Sequence, residues 1–328
     1  MNLTRRKVGQ ALAVSGLWAA APWVRARAAA TKVRMVVFGQ PSLGAFLQPV
    51  IKQRKLDLAH GIDLEFVERT PDAYLLEFNS GEFQVGGSAA LLSIGVARDR
   101  GIKVSYLFNL NDYFGAVVTS RPDIHTLKDL AGKQLVAATA TTNYAMFRWL
   151  MQREQVSLRD VAVTNTAPPG LLGYALADRA DAVELWEPAY SQLIARKPSL
   201  RTLDLGIRKH WQAFSPGTSM PYLGVAAHDD WIAAHPELVK GLYQTFLQAS
   251  AWVRGNPGAA AQLIAPTLPG SDATVLRGMI ESNETLAMNV VDAAAARRGI
   301  EAVYRAGLQS GYYKTPVDPA SIYGVSLA

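Results

Sequence analysis

The chain has 328 residues, 49% of them hydrophobic, enough for two cores of ordinary domain size. Its net charge of +6 draws on Arg5, Arg6, Lys7, Arg25 and Arg27, which all lie in the first thirty residues, where there is no acid. Without that segment the charge is +1 and no basic stripe remains to track phosphates, which excludes nucleic acid; the lack of cysteine excludes a disulfide framework and a lipid-attachment site.

Residues 1–30 read as an export signal: Thr4-Arg5-Arg6-Lys7, an apolar stretch from Ala11 to Val24, and Ala28-Ala29-Ala30 as a small-residue cleavage site. The paired arginines suggest the twin-arginine route, although Val8-Gly9 stand where Phe-Leu usually follows. The apolar stretch falls short of the roughly 20 residues that span a bilayer, and no later run reaches that length. The mature chain is therefore expected in a periplasm-like space, with no membrane insertion after signal cleavage.

From Val33 strand-like and helix-like pieces alternate. "VRMVVFG" is followed by a helix pattern from Phe46 to Leu56, "IDLEFVE" by a helix around Asp72 to Ser80, and then comes "FQVGG". This is an α/β rhythm. "KVSYLFNL" and "FGAVVTS" are separated by Asn111-Asp112-Tyr113 alone, too short for a helical crossover, which suggests passage from one lobe to the next. The rhythm restarts with "TLKDLAGKQLVAATA", a helix from about Asn143 to Arg153, "VAVTN", a helix near Gly170 to Ala177, and "DAVEL". "RTLDL", an irregular span from Arg208 to Pro221, and "YLGVAAH" lead into a helix-rich tail. In that tail Leu238, Val239, Leu242, Tyr243, Phe246, Leu247 and Val253 keep the helical period until Gly255-Asn256-Pro257 stops it.

The chain from about Lys32 onward resembles the substrate-binding proteins of bacterial ABC importers in the nitrate/sulfonate/taurine family, relatives of the carriers of thiamine pyrimidine precursors. The likeness is carried by "TLKDLAGKQLVAA", by "ADAVELWEPAY" and by "HPELVKGLYQTFLQASAWVRGNPGAAAQLIA". It implies a two-lobed periplasmic binding protein of type II, each lobe a mixed sheet flanked by helices, closing on a small molecule in the cleft. Residues 31–112 with 221–328 would form the first lobe and 113–220 the second. Two positions depart from the family's habit: Phe83-Gln84 stand where an Asp usually follows the glycine-led turn, and Glu184 stands where an apolar residue is commoner.

In open α/β sheets the ligand lies beyond the carboxyl ends of the strands, where helix N-termini point unpaired N–H groups. Three stretches have that chemistry. Gly39 to Gly44 brings Gln40, Pro41 and Ser42 after the first strand, and Ser42 reads equally as a helix cap. Gly86-Gly87-Ser88 follows "FQV" as a second turn, and Thr139 to Asn143, with Thr141 and Thr142, repeats the arrangement in the second half. None contains Lys or Arg, which suits a sulfonate or a neutral polar group held by amides and hydroxyls better than a phosphate.

The segment "DAVELWEPAY" ends a strand and opens a helix. Pro188 is expected at the first helical position and Glu187 as a cap. Residues two apart on an extended strand share a face, so Glu184 and Trp186 would point together: Glu184 to accept from an ammonium or aromatic amine, Trp186 as a flat apolar wall or as core packing. Tyr113 at the first crossing and Ser219 to Tyr222 at the second are further wall candidates, while Asn109 and Asp112 read as wall or turn residues.

Binding of a small sulfonate or amino-sulfonate such as taurine, with delivery to an ABC importer permease by a monomeric carrier, is the favoured reading. An amino-substituted heteroaromatic or aromatic acid ligand is the alternative. A serine hydrolase built on Ser88 is remote, because no His-Gly-Gly oxyanion segment precedes Gly86-Gly87-Ser88-Ala89-Ala90. No cofactor is implied, and no spacing of metal ligands occurs.

Overall fold

The computed structural model describes residues 30–215, 217–268 and 270–328; the export-signal reading of residues 1–30 falls almost wholly outside them. In chain order the first half holds β1 (Thr31–Phe38), α1 (Gln48–Gln53), α2 (Leu56–Ala59), β2 (Ile62–Arg69), α3 (Pro71–Asn79), β3 (Val85–Ala90), α4 (Leu91–Asp99) and β4 (Val104–Asp112). There follow β5 (Ala116–Thr119), β6 (Gln134–Ala137), α5 (Thr142–Arg153), β7 (Ala162–Asn165), α6 (Pro168–Leu176), β8 (Ala182–Leu185), α7 (Ala189–Arg196), β9 (Arg201–Leu203) and α8 (Ile207–Phe214). The chain ends with β10 (Pro221–His228), α9 (Asp229–Ala234), α10 (Pro236–Gly255), α11 (Pro257–Ile264), α12 (Ala273–Ser282), β11 (Met288–Asp292) and α13 (Ala293–Gln309).

The strands form two mixed sheets, ordered β11-β4-β10-β3-β1-β2 and β7-β6-β8-β5-β9. In the larger sheet β1 runs parallel to β2 and β3, while β10 is antiparallel to both β3 and β4. In the smaller sheet β6 is parallel to β7 and β8, and β5 is antiparallel to β8 and β9. The chain passes between the sheets twice, from β4 to β5 and from α8 to β10. The two passages lie side by side: Pro221 pairs with Asp112, and the Tyr113 N–H donates to the Met220 carbonyl at 2.8 Å.

This topology gathers the site. Asp112 ends β4 opposite Pro221 at the start of antiparallel β10, at the same edge as the carboxyl ends of β1 and β3. Likewise Ala116 opens β5 opposite Leu185 at the end of β8. The carboxyl edges of both sheets therefore meet the crossing through Tyr113, Phe114 and Gly115. One hydrophobic cluster runs through both sheets, including Tyr106 and Ala226 from the larger and Val117, Leu135 and Ala182 from the smaller.

Several local readings change. Gly86, Gly87 and Ser88 lie inside β3 and form no turn. A Cβ on Gly87 would sit 2.5 Å from Met35 Sδ, and one on Gly86 would meet the Tyr74 hydroxyl. The glycines thus serve close packing on both faces of a buried strand. The helix pattern from Phe46 to Leu56 breaks into α1 and α2, because Lys55 takes a left-handed conformation at φ 53°. The span read as irregular contains α8, started by Gly206 at φ 59°, whose N–H donates to Asp204 Oδ1 at 2.8 Å. Ile207, Trp211 and Phe214 keep the helical period there, and Trp211 packs against Trp149 with ring centroids 5.9 Å apart. Helix α7 begins at Ala189, so Pro188 stands at its cap and not at its first helical position.

Candidate functional site

Glu184 is the third residue of the four-residue strand β8 and pairs with Val117 of β5. Alternation along the strand puts it on the face of Ala182, which belongs to the cluster holding Tyr113, Val117, Ala137 and Tyr144. Val183 and Leu185 point to the other face, against α6 and α7. Glu184 is 0% exposed and neither carboxylate oxygen has a hydrogen-bond partner. Burial alone pushes its carboxyl up to about 8. Burial raises the Tyr113, Tyr144 and Tyr222 phenols, and the charge of Glu184 adds to each.

Around it, the crossing and α5 meet. Thr141 caps α5 by accepting from the Tyr144 N–H at 3.2 Å. The Thr142 hydroxyl donates to the Tyr222 hydroxyl at 3.2 Å, a link from the smaller sheet to the larger. Asn143 is fully buried; its Nδ2 donates to the Phe114 carbonyl at 3.0 Å, and its Oδ1 accepts from the Tyr113 hydroxyl at 3.4 Å. The Tyr113 and Tyr222 rings stand edge to face, 5.6 Å apart. A Cβ on Gly115 would strike the Tyr113 hydroxyl, so glycine is what lets the phenol lie against the backbone there. Tyr113, Thr142, Asn143 and Glu184 thus come together as a buried cluster, with the half-buried Tyr222 against it and the first turn of α5 at its side.

The other candidates sit differently. Ser42 accepts from the Gly44 N–H at 3.1 Å and caps a short turn of helix over residues 43–45. Gln40 is absorbed by the same turn, accepting from the Ser42 N–H at 3.3 Å and donating to the Ala45 carbonyl at 3.3 Å, while Pro41 is exposed. Ser88 is buried beneath this turn and accepts from the Phe38 N–H at 2.8 Å. That hydroxyl is occupied and is no exposed nucleophile on an elbow. Gly87, next to it, faces Met35 and Val37.

Trp186 does not share the face of Glu184. Strand β8 stops at Leu185, the Trp186 carbonyl already accepts from the Tyr190 N–H at 3.0 Å, and the indole packs on the α6–α7 side. Glu187 does act at the helix start: its carboxylate accepts from the Ser191 hydroxyl at 2.6 Å and from the Ser191 N–H at 3.2 Å. Burial raises its carboxyl, and bonds from Ser191 and Thr285 draw it back.

Ser219 belongs to a polar knot at the crossings. Asp112 accepts from Ser219 at 3.1 Å, from Asn109 at 3.0 Å and from Asn289 at 3.1 Å. Asn109 in turn accepts from the Tyr106 hydroxyl at 2.9 Å and from the Tyr222 N–H at 3.1 Å. Burial pushes the Asp112 carboxyl up to about 6 against these bonds. Asn289 and Tyr144 escaped the sequence reading. Tyr144 had a signal, as the first aromatic after the Thr-Thr-Asn turn. Asn289 had none, because it arrives from a strand 177 residues away in the chain from its partner.

Among the described residues no helix is long and apolar enough to cross a membrane. In comparisons with known proteins, no curated sequence matches the chain. The periplasmic aliphatic sulphonate binding protein SsuA from Escherichia coli superposes with a TM-score of 0.71 at 17% identity, over 89% of this chain and 92% of that one. The alkanesulfonate-binding protein SsuA from Xanthomonas axonopodis pv. citri, bound to MOPS, gives 0.70 at 16% identity over 89% and 98%. A putative periplasmic sulfonate-binding protein from Methylobacillus flagellatus gives 0.68 at 15% over 89% and 91%. These likenesses show the two-lobed periplasmic-binding-protein fold. The model of the family described as NMT1/THI5 like matches residues 59–260, and the chain belongs to that NMT1/THI5-like family.

Proposed function

We propose that this protein is the exported, monomeric solute-binding component of an ABC importer, and that it captures a small organic sulfonate or amino-sulfonate of the taurine type for a membrane permease. The lobes would be 31–112 with 221–328 and 113–220, and residues 1–30 the export signal. One observation carries the reading: the carboxyl edges of two sheets converge on the buried Tyr113, Thr142, Asn143 and Glu184 with the half-buried Tyr222 packed beside them. The first turn of α5 supplies amide N–H groups at that point, each favouring an anion by about 0.3–1 kcal/mol. The work is capture and closure, with no bond made or broken. The sulfonate-binding proteins that share the fold support the class of solute. A second reading, an amino-substituted heteroaromatic, is favoured by the edge-to-face pair Tyr113–Tyr222 beside Glu184.

A thermal-shift series tests this. A ligand at about 100 times its Kd adds roughly 2.7 kcal/mol to stability, so taurine or ethanesulfonate should raise the Tm by several degrees. Silence with every sulfonate, beside a shift with 4-aminopyrimidines or benzoates, would hand the function to the second reading.

A further inference from the structure

We propose that Glu184 selects solutes carrying an N–H donor, an ammonium or an amino-substituted ring, over the same solute without it. The inference rests on the carrier reading above and deepens it. A carboxylate taken out of water is costly unless it is hydrogen-bonded or paired, and the buried Glu187 and half-buried Asp112 obey that rule. Glu187, three residues on, has both oxygens engaged by Ser191. Asp112 is held by Ser219, Asn109 and Asn289. Glu184 is more deeply buried than Asp112, yet both of its oxygens lack a partner.

Nothing in the packing asks for an acid there. Its strand partner Val117 on β5 and its same-face neighbour Ala182 are apolar. An apolar side chain would fill the place without desolvation cost. The groups that feel the charge of Glu184 are the phenols of Tyr113 from the crossing, Tyr144 from α5 and Tyr222 from β10. Arg148 acts on Tyr144, while no cation acts on Glu184 itself. The arrangement is an unpartnered acceptor beside the edge-to-face pair Tyr113–Tyr222 and the helix start of α5, which suits an anion. A zwitterion such as an amino-sulfonate fits both ends.

The proton balance gives an independent readout. With the carboxyl titrating near 8, an ammonium that binds the carboxylate drives a proton off Glu184 at neutral pH. Affinity for the amine then climbs as pH rises toward 8, while affinity for the des-amino solute does not.

The experiment is titration calorimetry of the mature protein with matched pairs: taurine against ethanesulfonate, and 4-amino-2-methylpyrimidine against 2-methylpyrimidine. Taurine should bind about tenfold tighter than ethanesulfonate, with proton release at pH 7, as charge-assisted hydrogen bonds require. In Glu184→Gln and Glu184→Leu that preference should vanish, and a cooperative thermal melt of each variant shows that it folds. Equal affinity within a pair in the unmodified protein, or a preference that survives both substitutions, overturns the proposal. If neither sulfonate binds but the aminopyrimidine is preferred through Glu184, the selectivity stands and the sulfonate reading falls. Failure of all four solutes removes both.

Discussion

At the scale of the residue, Glu184 sets the stability of the fold against the binding role proposed for it. Its carboxyl titrates near 8 in the folded chain against an ordinary 4.5, so folding takes up a proton between those values. The sign follows: the penalty is absent below about 4.5, grows as pH rises, and is complete above about 8. Glu184→Leu should therefore stabilise the ligand-free protein at pH 8 and do so much less at pH 5, with a difference in slope of up to about 1.4 kcal/mol per pH unit. Denaturant titrations at the two pH values measure it, and a constant gap between variant and parent would show that Glu184 does not titrate as described. An acid that weakens the fold where solute is expected is the pattern of a site retained for function.

At the scale of the element, two short stretches carry separate burdens. Thr141 supplies the cap of α5; Thr141→Ala should cost about 0.5–2 kcal/mol of stability. It should also weaken anionic solutes, because the freed turn frays just where Thr142 and Asn143 meet the crossing; unchanged Tm and Kd would dissociate the helix start from the site. In β3, a methyl on Gly87 runs into Met35 and Val37, so Gly87→Ala should destabilise by about 1–3 kcal/mol without altering solute preference. Sequence reading placed both stretches at strand ends and assigned both to the ligand. The structure brings α5 to the cluster and folds the glycines into a strand, since small residues suit close packing as readily as they suit a turn.

At the scale of the whole molecule, the two sheets are tied by a few side-chain bridges besides the covalent crossings. Thr142 reaches Tyr222, Trp149 and Arg153 both donate to Gln309 at 3.0 and 2.6 Å, and Gln192 donates to Ser271 at 3.0 Å. Each net hydrogen bond is worth about 0.5–1.5 kcal/mol. The double variant Gln192→Ala/Gln309→Ala should then loosen the approach of the lobes and weaken solute binding by about tenfold, with a larger radius of gyration by small-angle scattering in the presence of solute. Identical scattering and affinity would show that these bridges do not hold the lobes together. The polar knot of Asn109, Asp112, Ser219 and Asn289 lies where the chain passes between sheets, so it is positioned to fix the angle of the crossing.

The sequence by itself determined the alternating rhythm of strands and helices, the change of sheet after Asp112, the long helix α10, and Glu184 as an acid within an apolar strand. These are matters of local period, of a connection too short for a helix, and of one side chain's chemistry, all readable within a few residues. Tertiary structure alone decided that Trp186 turns away from Glu184, that α8 occupies the span before Pro221, that Ser88 is spent on Phe38, and that Asn289 joins the crossing. Each of those depends on a partner far along the chain, and a residue's neighbours in sequence carry no record of which distant group will take its hydrogen bond or fill the space beside it.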